Sequence, residues 1–224
     1  MGSITDVPGI KVGHFTHRRA LTGCTVILFE SPARAAFDMR GMASGTRQID
    51  SLTPLHVVNE IHAILLTGGS SFGLDAAGGV MRYLEKKGIG FDTGVAKIPI
   101  VPSAVLFDLG LGDPKIRPDV KMGYKACLEA STEVQEGSVG AGTGATVGKL
   151  LGLKRAMKGG LGTWSIKGPE KVVVGALVVL NAFGDVFDPS TGEQIAGPLD
   201  ENGKLLNTQQ LLKRGVKKEK FGFS

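Results

Sequence analysis

Apolar runs of strand length alternate along this chain with glycine turns and with segments of helix length. Cys24 to Phe29 (CTVILF) and Ile61 to Thr67 (IHAILLT) are strand-like runs, the second continuously apolar as a doubly covered strand requires. A helix is predicted just before the second run, from about Pro54 to Glu60. After the Gly68, Gly69 turn, Ser70 or Ser71 reads as an N-cap. The helix that follows runs through Tyr83 to Lys87 and stops at Gly88. Pro118 and Asp119 read as the first turn of another helix, through Cys127 to about Thr132, with Asp119 complementing the helix dipole. Pro99 to Pro118 is loop-rich. Val172 to Leu180 (VVVGALVVL) is the strongest strand signal, with Asn181 at its C-terminal end and a turn at Gly184. Asp188 to Lys204 reads as a polar loop, and Thr208 to Arg214 as a short helix. No repeat of 20 to 50 residues is visible.

Composition changes this picture at one point. Glycine takes 34 of 224 positions, about twice the usual share of roughly 7%, without a collagen-like period. Two glycine clusters and a lysine crowd residues 140 to 166 (GAGTGATVGKLLGLKRAMKGGLGTWSI) around an expected half-buried strand. Glycine gives up side-chain burial and costs backbone entropy. Its concentration there implies positive φ, or close approach of backbone to backbone or ligand. A hydrophobic share of 42% is compatible with one compact domain over residues 1–224. The net charge of +5 owes much to the basic segment Lys213 to Lys220, and aromatic residues make up only 6%, so nucleic acid is a weak expectation. Cys24 and Cys127 are isolated and suggest a reducing, cytoplasmic setting rather than a disulfide framework. Neither a secretory leader nor a run approaching ~18 apolar residues is present, so no membrane association is expected.

Four places could carry chemistry. Leu65 to Ala77 (LLTGGSSFGLDAA) gathers backbone amides, two hydroxyls and a helix N-terminus that could receive an oxyanion or a phosphate, although it matches neither GxxxxGK[ST] nor GxGxxG. Gly69, Ser70 and Ser71 are therefore candidate substrate contacts. A non-catalytic protein binding phosphate or a small ligand through Gly68 to Phe72 is the alternative reading. His14 and His17 have HxxH spacing, but VGHFTH reads as strand or loop, where i and i+3 point to opposite faces, so no metal is assigned. His56 and His62 are single residues with no acidic partner pattern. Lys158 directly precedes GGLG beside expected strand structure, where partial burial would depress its pKa and fit it for proton handling; a solvated lysine is the plain reading. Asn181 could orient a substrate carbonyl or a nucleophile, or satisfy turn backbone.

Five stretches together carry a family likeness: ITDVPGIKVGH, MRGMASGTRQIDSL, AILLTGGSSFGLDAAGGVMRYLE, GAGTGATVGKLLG with MKGGLGTWS, and VGALVVLNAFGDVFDPSTG. In this order they resemble the DmpA-type L-aminopeptidase/D-esterase family, which includes β-aminopeptidases and nylon-oligomer hydrolases. The resemblance implies an αββα sandwich of the N-terminal-nucleophile-like type, a precursor that cuts its own backbone before a Ser or Thr, and a hydrolase of N-terminal residues or small amides. It further implies that this chain is the larger, N-terminal (α) fragment. The nucleophile would sit on a smaller C-terminal (β) fragment that completes the fold, with several αβ heterodimers per assembly and no cofactor. Lys158 in KGGLGT matches a family lysine near the nucleophile, and Asn181 in VLNAFG matches the asparagine at the reacting centre. Where some members carry a tyrosine, VLFDLGLGD has Phe107 and Gly110, making Phe107 a candidate substrate contact. Self-cleavage is expected about Phe221 to Ser224, without Ser224 as nucleophile. The Asn207, Thr208 pair mimics a scissile bond but leads into a polar helical stretch. Residues 107 to 117 and 188 to 204 are the expected specificity loops.

Overall fold

The apolar runs form the spine of a mixed sheet in the computed structural model, which describes residues 2–218. The expected cleavage region at Phe221 to Ser224 lies outside the described residues. Ile10–His17 (β1) pairs antiparallel with Thr22–Arg34 (β2). After the two-residue Thr46–Arg47 (β3) comes Glu60–Thr67 (β4), antiparallel to β2 across a bulge between Leu28 and Ala33. Helix Ala76–Lys86 (α1) precedes a small ribbon of Phe91–Asp92 (β5) and Lys97–Ile98 (β6). Ser103–Val105 (β7) then runs parallel to β4, giving the sheet order β1-β2-β4-β7-β3. Helix Val120–Leu128 (α2) is followed by the short pair Thr146–Val147 (β8) and Met157–Lys158 (β9). Gly160–Lys167 (β10) and Val173–Leu180 (β11) form a separate antiparallel sheet. Val186–Phe187 (β12), Gln194–Ala196 (β13) and helix Thr208–Lys213 (α3) complete the described elements.

The core lies between one face of the five-stranded sheet and the two long helices. Cys24, Val26 and Leu28 of β2 and Ala63 and Leu65 of β4 pack against Ala76, Ala77, Val80 and Leu84 of α1 and Ala126 and Cys127 of α2. The period-2 spacing on β2 places Cys24, Val26 and Leu28 on the same face. The helices meet through glycine: a Cβ on Gly79 would lie 2.0 Å from the Val120 carbonyl oxygen, and one on Gly123 would lie 2.0 Å from that of Ala76. Cys24 and Cys127 are free and buried, and burial pushes the Cys127 thiol up to about 12.

Several boundaries differ from expectation. No helix forms over Pro54 to Glu60. A single 3-10 turn, Asp50–Leu52, precedes a string of turns, and Leu55 and Val57 stand almost fully exposed with nothing to pack against. The first long helix is entered through a 3-10 turn, Ser70–Asp75, with neither serine capping it by its side chain. Gly69 and Ser70 both have positive φ, and that double left-handed step delays the α-helix until Ala76. Its end is as expected: Gly88 donates to the Glu85 carbonyl and Ile89 to that of Leu84, a Schellman closure. Asp119 caps the second helix by accepting from the Met122 amide at 2.9 Å, but that helix ends at Leu128 rather than near Thr132. The chain leaves it to bridge β1, where Ser131 and Val12 exchange backbone hydrogen bonds.

Candidate functional site

The glycine-rich segment 140–144 forms a buried 3-10 turn that packs against both β2 and β10. Lys158 lies opposite Thr146 in the β8–β9 pair, and its Nζ donates to the carbonyls of Thr143 at 2.6 Å and Ala145 at 3.1 Å, the two residues flanking Gly144. An ammonium has three N–H groups, so one remains for a third acceptor. Lys158 as a residue is exposed, while its ammonium is held against backbone; burial of that end lowers its pKa and the nearby Asp108 opposes the drop. Backbone closeness explains the glycine after it: a Cβ on Gly159 would lie 2.0 Å from the Leu180 carbonyl oxygen.

Asp108 is the carboxylate behind Gly144. Its Oδ2 accepts from the Thr22 hydroxyl at 2.7 Å and its Oδ1 from the Gly69 amide at 2.7 Å. A Cβ on Gly144 would sit 2.5 Å from Asp108 Oδ2, and one on Gly68 only 2.0 Å from it. Burial raises the Asp108 pKa, opposed by the Gly69 amide, the Thr22 hydroxyl and Lys158. The clamp brings the Gly68, Gly69 turn to the 106–108 loop, where the Ser70 amide donates to the Leu106 carbonyl at 3.0 Å. Gly69, Ser70 and Phe107 thus share one neighbourhood, with Phe107 partly exposed beside the buried Asp108. Ser71 is exposed on the 3-10 turn. Two amides that could have cradled an anion, those of Gly69 and Ser70, are already engaged inside the chain. Gly69 in particular binds an internal carboxylate where a phosphate would have been required.

Asn181 joins from the end of β11. Its Oδ1 accepts from the Thr146 amide at 3.0 Å, an orientation that leaves Nδ2 to donate elsewhere. Its backbone carbonyl accepts from Lys149 Nζ at 2.9 Å, and the same ammonium donates to the carbonyls of Thr146 at 2.6 Å and Ala182 at 2.9 Å. All three Lys149 donors are filled, so Lys149 is a tie that holds the β11 end against β8; burial lowers its pKa to about 8. Lys158 and Asn181 therefore meet at Thr146 across two hydrogen-bonded backbone segments. A groove of about 360 Å³ opens beside them, lined by Lys158, Gly160, Gly162, Val178 and Leu180 among others.

The remaining candidates stand apart from this cluster. His14 accepts or donates at Nδ1 with the Thr25 hydroxyl at 2.9 Å, its Nε2 is buried without a partner, and burial lowers its pKa to about 4. His17 accepts from the Ala20 amide. His14 also lines a groove of about 630 Å³ along the β1 edge, together with Arg18, Glu129 and Glu133, none of which belongs to the Lys158 cluster. No group of three or more His, Cys, Asp or Glu among the described residues could hold a metal ion. Thr208 is the first residue of α3. Its amide and hydroxyl both bond the Asp185 carboxylate, while Asn207 caps the helix by accepting from Gln210. That pair is a helix start, not a scissile strand. Asp108 and Lys149 were not singled out in the sequence. The signals available were an acid between Phe107 and Leu109, and a lysine between Gly148 and the Leu150, Leu151 pair.

Among known proteins, the model of peptidase family S58 matches residues 2–207. An uncharacterized aminopeptidase of Mycobacterium tuberculosis is 46% identical over 202 residues, covering 86% of this chain and 56% of that protein. A 6-aminohexanoate-oligomer endohydrolase of a Kocuria species is 34% identical over 189 residues, covering 84% of this chain and 50% of its own length. The chain thus spans about half the length of these relatives. In structure it is similar to the PH0078 protein of Pyrococcus horikoshii, with TM-score 0.66, 29% identity and coverage of 80% of this chain and 54% of that one. The L-aminopeptidase D-Ala-esterase/amidase of Ochrobactrum anthropi, described as a variant of the Ntn hydrolase fold, superposes with TM-score 0.63 at 20% identity, over 80% and 53% of the two chains. The architecture is accordingly the α/β, αββα-type fold of the DmpA proteins. With that fold, and with a family match running from residue 2 to residue 207, this chain belongs to peptidase family S58, the DmpA-type family.

Proposed function

We propose that this chain is the larger, N-terminal fragment of a self-processed hydrolase that cleaves N-terminal residues from peptides, or small amides. The nucleophile is a Ser or Thr at the new N-terminus of a companion fragment. Its hydroxyl oxygen attacks the substrate carbonyl and its α-amine takes the hydroxyl proton. The amine returns that proton to the leaving nitrogen, and water then releases the acyl group. Lys158, with one N–H unspent, and Asn181, whose Oδ1 is engaged by Thr146 and whose Nδ2 is left to donate, supply positive and donor character where the oxyanion develops. Phe107, Gly69, Ser70 and Ser71 form the adjoining substrate wall. The names of the relatives, aminopeptidase and 6-aminohexanoate-oligomer endohydrolase, support the amide bond as target. The two fragments assemble further into an oligomer of heterodimers, and the free, buried Cys24 and Cys127 suit a reducing cytoplasm.

The observation that carries this reading is the convergence of Lys158 and Asn181 on Thr146 at the mouth of an uncovered apolar sheet. The β10–β11 register puts Leu180, Val178, Ala176, Val174, Trp164 and Ile166 on one face, and all of these are exposed. Such a face calls for a cover, and the companion fragment supplies both the cover and the reactive hydroxyl. The test is a mass spectrum of the complete protein, expressed with all the sequence its gene encodes. Two polypeptides are expected, the second starting with Ser or Thr, and Lys158→Ala should leave the protein folded but uncut or inactive. A single uncut wild-type chain with no amidase activity, or full processing and turnover in Lys158→Ala, defeats the reading.

A further inference from the structure

Asp108 has the hallmarks of a group held on purpose: a carboxylate, 4% exposed, with each oxygen occupied by a neutral donor and no ion pair among the described salt bridges. Burying a carboxylate without a contacting cation is expensive, so a simple structural role would be met more cheaply by an amide. Its surroundings suggest why the charge is kept. Gly144 lies directly against the carboxylate, with no room for a Cβ, and the carbonyls on either side of Gly144 are the two that grip Lys158. The electrostatic partner of Asp108 among the described residues is Lys158, and that of Lys158 is Asp108. Lys149, across Thr146, spends its ammonium on three carbonyls of its own.

We propose that Asp108 is the positioning residue for Lys158: its carboxylate, clamped by Thr22 and Gly69 and pressed on Gly144, fixes the carbonyl pair that holds the ammonium. The inference rests on the reading of Lys158 as a site residue only where activity is concerned; the coupling itself is a property of this chain. The same carboxylate ties the Gly68, Gly69 turn to the 106–108 loop, so one side chain sets both the lysine and the substrate wall that contains Phe107.

The test follows the side-chain titration of Lys158 by ¹⁵N NMR of lysine-labelled chain, in wild type and in Asp108→Asn. Removing the negative charge should lower the Lys158 midpoint by about one pH unit, the lower end of what a nearby opposite charge does. Thr22→Val, which removes one hydrogen bond but keeps the charge, should move it far less. If Asp108→Asn does not fold, the reciprocal measurement serves. Lys158→Gln, a change at an exposed residue, must raise the Asp108 midpoint by the same amount, because the coupling is mutual. An unmoved midpoint in whichever of these variants folds overturns the proposal. In the complete protein, the limb of the kcat profile governed by Lys158 should move to lower pH in Asp108→Asn. Full activity in Lys158→Ala would refute the functional reading while leaving the titration result to stand or fall separately.

Discussion

At the scale of single residues, the candidate site holds its two lysine ammoniums on backbone carbonyls and its Asp108 carboxylate on neutral donors, rather than in contacting ion pairs. Lys149 is the clearest case, since its pKa drops from the ordinary 10.5 to about 8 through burial. Between those two values the unfolded lysine keeps a proton that the folded one has released. The unfolded state therefore binds more protons, and the contribution of Lys149 to stability rises as pH climbs through that window, by up to about 3 kcal/mol. The buried thiols act in the opposite direction, because folding holds their protons. The useful measurement is thus the urea midpoint of wild type minus that of Lys149→Met from pH 7 to pH 10. The difference should grow with pH, and a flat difference would mean that Lys149 titrates as an ordinary lysine. Lys158 and Asn181 could be named as candidates from the sequence because they sit in short motifs at a glycine turn and a strand end. Asp108 and Lys149 could not, because what marks them is burial among partners 39 and 32 positions away, Gly69 and Asn181, and local pattern carries no record of such distances.

At the scale of elements, apolar runs and glycine stops predicted β4, β11 and α3 to within a residue and the existence of β2 and α1, although β2 runs on to Arg34 and α1 starts only at Ala76. The errors occurred where tertiary contacts override local preference. Two left-handed residues displaced the start of α1, an alternative partner on β1 cut α2 short, and the stretch after Pro54 had no surface on which to fold as a helix. The α1–α2 contact shows the same override acting on composition. Gly123 lies inside α2, where alanine is intrinsically better by about 1 kcal/mol. Yet the added methyl would sit 2.0 Å from the Ala76 carbonyl oxygen, a backbone atom that cannot swing aside. Overpacking of this kind costs about 1–3 kcal/mol, so Gly123→Ala should be net destabilising, with a lower urea midpoint and an unchanged m-value. A stabilised variant would show that the helices separate more easily than their packing suggests.

At the scale of the whole molecule, the exposed face of β10–β11 is the dominant feature. Trp164, the single tryptophan, is 57% exposed on it. The described chain on its own should therefore emit with the red-shifted maximum of a hydrated indole and bind a hydrophobic dye. If the proposed companion fragment covers this face, its addition should shift the emission to the blue and displace the dye. Emission that is already blue-shifted in the isolated, monomeric chain would show that the face is covered from within. The sequence marks VVVGALVVL as a strand but does not say which of its faces is covered; the register with β10 and the exposure of alternate residues show the uncovered one.

The bridge between Val12 and Ser131 has a consequence for how this molecule can grow. It pins the outer rim of β1 at mid-strand, while the opposite rim of the same sheet is a two-residue strand. A second bridge, from Gly137 to Leu161, does the same for β10. Templating by an identical copy is blunted at each of these borders. Among the described residues, β11 is left as the long strand with no second strand paired to it, so recruitment of an extra strand is directed to the border that ends at Asn181.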